Sequence, residues 1–161
     1  MPATTRVLIV EDDSDALCGY VEFLTAAGFE ATGLANGAAA LLLALENPPA
    51  AVVTDITLPG LTGFELAAAL RADPRTRRVP IIGLTAHWTA DVHSRARKAA
   101  MQVVLSKPCI PGHLLAEIER VLGRSRALDS VGAARPRRMA LPTLTIKHAL
   151  SRLTRVSGHG C

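Results

Sequence analysis

The chain has 161 residues, 49 % of them hydrophobic, and a formal net charge of +4 at neutral pH. That length suits one domain with an extension and is too short for two full-sized domains. No apolar run approaches the roughly 18 residues of a membrane-spanning helix, and MPATTRVLIVEDD puts three acids straight after a short apolar run, unlike a secretory signal. The expectation is a cytoplasmic protein.

The charge is unevenly placed. Residues 1–123 hold 10 Lys/Arg against 13 Asp/Glu, a net −3, whereas residues 124–161 hold 8 against 1, a net +7. We read a mildly acidic domain over 1–123 and a basic linker over 124–161. Cys18, Cys109 and Cys161 match no metal-ligand spacing and read as buried or incidental thiols.

In chain order, RVLIV (6–10) reads as a buried strand, followed by a helix through Leu17, Val21 and Leu24 that ends at Gly28. FEATGLA (29–35) is a weaker strand. Asn36 is placed to cap a helix through Leu41, Leu42 and Leu45, which Pro48 and Pro49 stop. AAVVTD (50–55) is the third strand, and a helix runs from Gly63 to Arg71. Between them, VVTDITLPG (52–60) leaves one carboxylate, Asp55, at the end of an apolar run. An unpaired charge inside a strand is costly, so Asp55 belongs at the strand's exit. VPIIGLTA (79–86) is a strand, Ala90 to Ala100 a polar helix, VVLS (103–106) a short strand, and Pro111 to Leu122 a final helix with Gly123 as its cap.

Five strand–helix units of this kind predict an α/β fold: a doubly wound, five-stranded parallel sheet with helices on both faces. Ligands of such sheets bind at the carboxyl ends of the strands, near the point where strand order reverses. The polar residues fall there. Glu11, Asp12 and Asp13 follow the first strand, Asp55 ends the third, Thr85 the fourth, and Lys107 follows the fifth.

Clustered carboxylates repel unless a cation sits among them. Glu11, Asp12 and Asp55 offer hard oxygen donors without Cys or His, which suits Mg²⁺. A lysine and a hydroxyl beside them suit a phosphate group. A carboxylate is also a nucleophile able to form an aspartyl-phosphate, and Asp55 takes that role in this reading.

Four stretches carry a resemblance: LIVEDD (8–13), VVTDITLPGLTG (52–63), IIGLTA (81–86) and LSKP (105–108), in that order and each at the end of its own strand. The chain resembles a bacterial response-regulator receiver domain of the chemotaxis-regulator type over residues 5–123. The resemblance implies the flavodoxin-like receiver fold, with Asp55 as phosphoacceptor. It implies Mg²⁺ held by Asp12, Asp55, the backbone carbonyl of Thr57 and, largely through water, Glu11. Thr85 matches the switch hydroxyl and Lys107 the lysine that pairs with the acceptor. Asp13 is expected at the start of the first helix. The implied donor is a sensor histidine kinase or a histidine phosphotransfer domain, and the output is protein contact by a stand-alone receiver rather than metabolic catalysis. Two positions depart from the family pattern. Val104 stands where many members carry the aromatic partner of the switch hydroxyl, and Cys109 where an aromatic usually follows Lys-Pro.

Other features read more plainly. His87, Trp88 and His93 suit either a partner face or a solvent-facing polar helix. Arg75, Arg77 and Arg78 suit a solvated loop. In the tail, Ile146, Ala149, Leu150, Leu153 and Val156 share one helical face, away from Lys147, Arg152 and Arg155. Such a segment suits an acidic partner, a membrane surface or another protomer, against the plain reading of a disordered tail. Two further functions fit parts of the pattern. One is a DNA-binding transcriptional regulator acting through the basic tail. The other is a Mg²⁺-dependent phosphatase passing through an aspartyl-phosphate, against which Thr57 stands where a second Asp would be needed.

Overall fold

A computed structural model describes residues 4–124. The reading of the tail as linker and amphipathic helix lies outside the described residues. The elements alternate as β1 (Arg6–Val10), α1 (Ser14–Ala26), β2 (Glu30–Leu34), α2 (Gly37–Glu46), β3 (Ala51–Asp55), α3 (Gly63–Ala72), β4 (Ile81–Thr85), α4 (Ala90–Lys98), β5 (Val103–Ser106) and α5 (Pro111–Val121). The strands form one sheet in the order β2-β1-β3-β4-β5, every pairing parallel. This is the expected doubly wound sheet. Strand order reverses between β1 and β3, so the crevice lies between their carboxyl ends.

Strand alternation sorts the core into two halves. Leu8, Val10, Val52 and Ile81 face α2, α3 and α4 and pack with Ala40, Ala44, Leu66, Ala67, Leu70 and Ala96. Val7, Ile9, Val53 and Ile82 face the opposite way and pack with Leu24 of α1 and Leu114 and Ile118 of α5. Both β3 and β4 are buried along their whole length, which is why they read as continuous apolar runs.

The element ends have local causes. The Asp13 carboxylate caps α1 by accepting from the Ala16 amide, and the Asn36 side chain caps α2 by accepting from Ala38 and Ala39. Thr62 and Glu65 form a reciprocal capping box at α3. Several expected ends shift by a residue or two, and two of these shifts show their cause in the backbone. β4 starts at Ile81 rather than 79, because Pro80 has no N–H and the Val79 amide turns back to the Thr76 carbonyl. α4 stops at Lys98, and Ala100 takes a left-handed φ of 53°.

Arg71 ties down the end of the molecule opposite the crevice. Its guanidinium donates to the carbonyls of Arg77 at 3.0 Å, Val79 at 2.7 Å and Ala100 at 2.8 Å, and to Gln102 Oε1 at 3.3 Å. Gln102 Oε1 also accepts from the Ile81 amide at 2.6 Å. Exposed Arg75, by contrast, pairs locally with half-buried Asp73, as expected of a solvated loop.

Two glycines separate close packing from open space. A Cβ on Gly63 would overlap the Asp55 carbonyl oxygen and lie 2.9 Å from Ile56 Cα, whereas one on Gly19, exposed on α1, would meet nothing within 4 Å. Gly63→Ala is expected to destabilise the domain by about 1–3 kcal/mol through backbone displacement. Gly19→Ala is expected to stabilise it by about 0.5–1 kcal/mol through helix propensity. Urea denaturation of the two variants measures both signs.

Candidate functional site

Each polar side chain at the crevice is held at the carboxyl end of a parallel strand. Glu11 follows β1 and its amide donates to the Leu34 carbonyl, continuing the β1–β2 ladder by one residue. Its side chain is 0 % exposed. Asp55 ends β3 and is 6 % exposed. The Ile56 amide, next along, donates to the Leu84 carbonyl, and the Gly63 amide donates back to the Ile56 carbonyl. The loop after Asp55 is thus pinned between β4 and the first turn of α3. The cap of that helix is Thr62, so Asp55 is not a helix cap.

Lys107 lies just beyond β5, and its amide donates to the Thr85 carbonyl at 2.7 Å. Its ammonium donates to Glu11 Oε2 and to Asp55 Oδ2, each at 2.8 Å. One cation thus joins residues 96 and 52 positions away in sequence. Burial works to lower the Lys107 pKa, but hydrogen bonds and attraction from Asp55 and Glu11 outweigh it and raise the value above that of a free lysine. The side chain therefore stays charged. Burial raises the Glu11 pKa, and the bond from Lys107 opposes that rise.

The remaining oxygens of the two carboxylates are ordered by main-chain donors. Glu11 Oε1 accepts from the Asp13 amide at 3.2 Å, and Asp55 Oδ1 from the Thr57 amide at 2.8 Å. Asp12 is exposed and completes a cluster in which Glu11, Asp12 and Asp55 each place an oxygen within 4.8 Å of the others. Three carboxylates against one ammonium leave an excess of negative charge. An all-oxygen donor set of this size fits a hard divalent cation such as Mg²⁺.

The structure therefore brings together Glu11, Asp12, Asp55 and Lys107. Thr57 is tied to Asp55 through its amide. Thr85 is buried at the end of β4, and its hydroxyl is engaged locally, donating to the His87 carbonyl and accepting from the His87 amide, both at 3.1 Å. Asp13 caps α1, as expected, and is absent from the carboxylate cluster. Trp88 is 53 % exposed, with its ring centroid 6.1 Å from that of His93. Cys109 is a buried free thiol whose pKa burial raises, which keeps it protonated and unreactive.

Two supporting residues escape sequence reasoning. Gly63 permits α3 to approach the Asp55 main chain, and the glycine at a helix start gave no sign of what it faces. Tyr20, 5 % exposed on α1, donates from its hydroxyl to the Cys109 carbonyl at 2.9 Å. Its i+4 spacing to Leu24 marks it as core-facing but does not reveal a partner 89 residues away.

Comparison with known proteins agrees with this geometry. A family model described as the response regulator receiver domain matches residues 7–119. The transcriptional regulatory protein PrrA of Mycobacterium tuberculosis is 38 % identical over 119 residues, covering 74 % of this chain and 50 % of PrrA. The chain thus spans about half the length of that relative. The polar-differentiation response regulator DivK of Brucella anthropi is 32 % identical over 117 residues, covering 73 % of this chain and 95 % of DivK. Among solved structures, the receiver domain of the sensor histidine kinase PA1611 from Pseudomonas aeruginosa, crystallised with a magnesium ion coordinated in its active-site cleft, superposes with a TM-score of 0.69 at 30 % identity, covering 75 % of this chain and 99 % of that one. With its parallel sheet, its acidic cluster and the lysine that bridges two of its acids, the chain belongs to the response regulator receiver domain family, the phosphoacceptor modules of two-component signalling.

Proposed function

We propose that Asp55 is the phosphoacceptor of this receiver and that its donor is a phosphohistidine on a sensor kinase or phosphotransfer domain. The observation that carries the reading is the double pairing of the Lys107 ammonium with Glu11 and Asp55 at the crevice of the sheet. It places a positive charge 2.8 Å from Asp55 Oδ2 in a site nearly closed to solvent.

In the transfer, an Asp55 carboxylate oxygen forms a bond to phosphorus as the phosphorus–nitrogen bond breaks. The electron pair stays on the departing imidazole, which holds a proton on its other nitrogen. Glu11, Asp12, Asp55 and the Thr57 carbonyl would hold Mg²⁺, which would supply offsetting charge for the phosphoryl oxygens. Lys107 adds a second positive charge from within hydrogen-bonding reach of Asp55. The Thr57 amide, bonded to Asp55 Oδ1, orients the carboxylate. Thr85 acts after transfer: its hydroxyl leaves the His87 carbonyl and donates to the new phosphoryl group. That exchange alters the loop leading to α4, which is where the signal leaves the site. Val104 is a partly buried aliphatic residue packed in the core, so the switch works without a rotating aromatic at that position. Residues 1–123 form the signalling unit and 124–161 a basic extension.

The phosphatase reading is weaker, because Thr57 offers no titrating group beside the acceptor near neutral pH. Incubation with acetyl phosphate and Mg²⁺, followed by intact-protein mass spectrometry, is expected to show one added phosphoryl group. The adduct is expected to vanish in Asp55→Asn and on chelation of Mg²⁺; an adduct that persists in Asp55→Asn overturns the assignment. The Lys107→Met variant separates binding from transfer. It removes a cation that contacts two of the three acids, so Mg²⁺ affinity is expected to rise several-fold while phosphorylation slows by about tenfold or more. Isothermal titration calorimetry and the phosphorylation time course measure the two effects.

A further inference from the structure

The position of Lys107 depends on a loop with few restraints of its own. Pro108 and Pro111 remove two N–H donors from the stretch between β5 and α5, and Ile110, at the start of α5, offers no side-chain cap. On the sheet side, the loop is fixed by the Lys107 amide bond to the Thr85 carbonyl. On the helix side it meets Tyr20. That side chain rises from the buried face of α1, packs in the half-core that holds Leu24, Leu105 and Leu114, and donates its hydroxyl proton to the Cys109 carbonyl at 2.9 Å. Tyr20, Lys107, Pro108 and Cys109 line one groove along this edge. The ring also fills space beside Cys109, where the sequence lacks the aromatic that usually follows Lys-Pro.

We infer that Tyr20 is a positioning residue for Lys107: by holding the Cys109 carbonyl it fixes the 107–109 segment, and so sets where the ammonium meets Glu11 and Asp55. The phenol is suited to this because burial raises its pKa, with Cys109, Glu11 and Asp55 adding to the rise and Lys107 opposing it, so the hydroxyl keeps the proton it donates. The geometry stands on its own. Its consequence for phosphoryl transfer rests on the phosphoacceptor reading above.

Four full-length proteins test the inference: wild type, Tyr20→Phe, Lys107→Met and the double variant. Tyr20→Phe keeps the ring and removes only the donor. The first readout needs no phosphate: hydrogen exchange of the Lys107 ammonium, followed by ¹H–¹⁵N NMR and assigned as the signal lost in Lys107→Met. We expect it to quicken about threefold or more in Tyr20→Phe, as the loss of one buried hydrogen bond loosens the pairing. Because the chain has a single tyrosine, incorporation of 3-fluorotyrosine alters Tyr20 alone. Its more acidic phenol is a stronger donor, so exchange is expected to slow. This second variant keeps the packing and guards against a Tyr20→Phe protein that folds poorly. The second readout is the rate of phosphorylation by acetyl phosphate. We expect Tyr20→Phe to be about fivefold slower than wild type, with no further loss when Lys107 is already Met. A merely structural Tyr20 would reduce the rate by the same factor in both backgrounds, and that result, or ammonium exchange indifferent to both tyrosine changes, overturns the inference. If wild type gains no phosphoryl group but the ammonium responds as expected, the phosphoacceptor reading falls and the positioning role stands.

Discussion

The site depends on the contact between one ammonium and two carboxylates that the fold has nearly removed from water. Glu11 is fully buried and Asp55 almost so. Either charge alone would cost several kcal/mol to desolvate. Lys107 compensates both at once, at 2.8 Å to each, and the Asp13 and Thr57 amides take up their other oxygens. No buried side-chain nitrogen or oxygen among the described residues is left without a partner. The compensation is incomplete in charge. With Asp12 the cluster still holds three carboxylates against one ammonium, an all-oxygen donor set of the kind that suits a hard divalent cation.

Such a contact is possible because three chain segments far apart in sequence end at the same place. Parallel pairing puts the carboxyl ends of β1, β3 and β5 on one edge, and the reversal of strand order between β1 and β3 opens the crevice there. The supports below that edge are short main-chain contacts. Gly63 lets α3 close on the Asp55 main chain, the Leu84 carbonyl holds the Ile56 amide, and the Thr85 carbonyl holds the Lys107 amide. The polar groups of the site are therefore side chains at strand ends, and Asp55 ends a strand buried along its whole length.

Much of this was legible in the sequence, for a physical reason. A strand covered on both faces must be continuously apolar, so β1, β3 and β4 stood out, and a charged residue at the end of such a run can only be at the sheet's edge. Asn36, Pro111, Gly28 and Gly123 marked helix ends through local backbone chemistry. What could not be read were contacts whose partners are main-chain atoms, since every residue offers those. The Tyr20 bond to the Cys109 carbonyl, the Arg71 bonds to three carbonyls and the approach of Gly63 to Asp55 leave no pattern of residue types. The local engagement of the Thr85 hydroxyl with His87 was equally hidden, because a threonine at a strand end predicts a hydroxyl at the crevice and not the direction in which it donates.

These hidden contacts divide the molecule mechanically. Arg71 locks the C-terminal end of α4 to α3 and β4 through Ala100 and Gln102, and Arg95 of α4 lies 4.3 Å over the Phe64 ring of α3. The other end of α4 is reached from Thr85 through His87 and exposed Trp88, and its first turn is capped by Thr89 to the Val92 amide. Residues 86–89 are exposed and their hydrogen bonds are local, the features of a segment that opens at low free-energy cost. A change at the Thr85 hydroxyl therefore meets a compliant loop on one side and an anchored helix end on the other. The free energy of phosphorylation would be expressed as a tilt or refolding of the loop, with the far end of α4 as the fixed point, and a small aliphatic residue at 104 offers that motion no aromatic ring to turn.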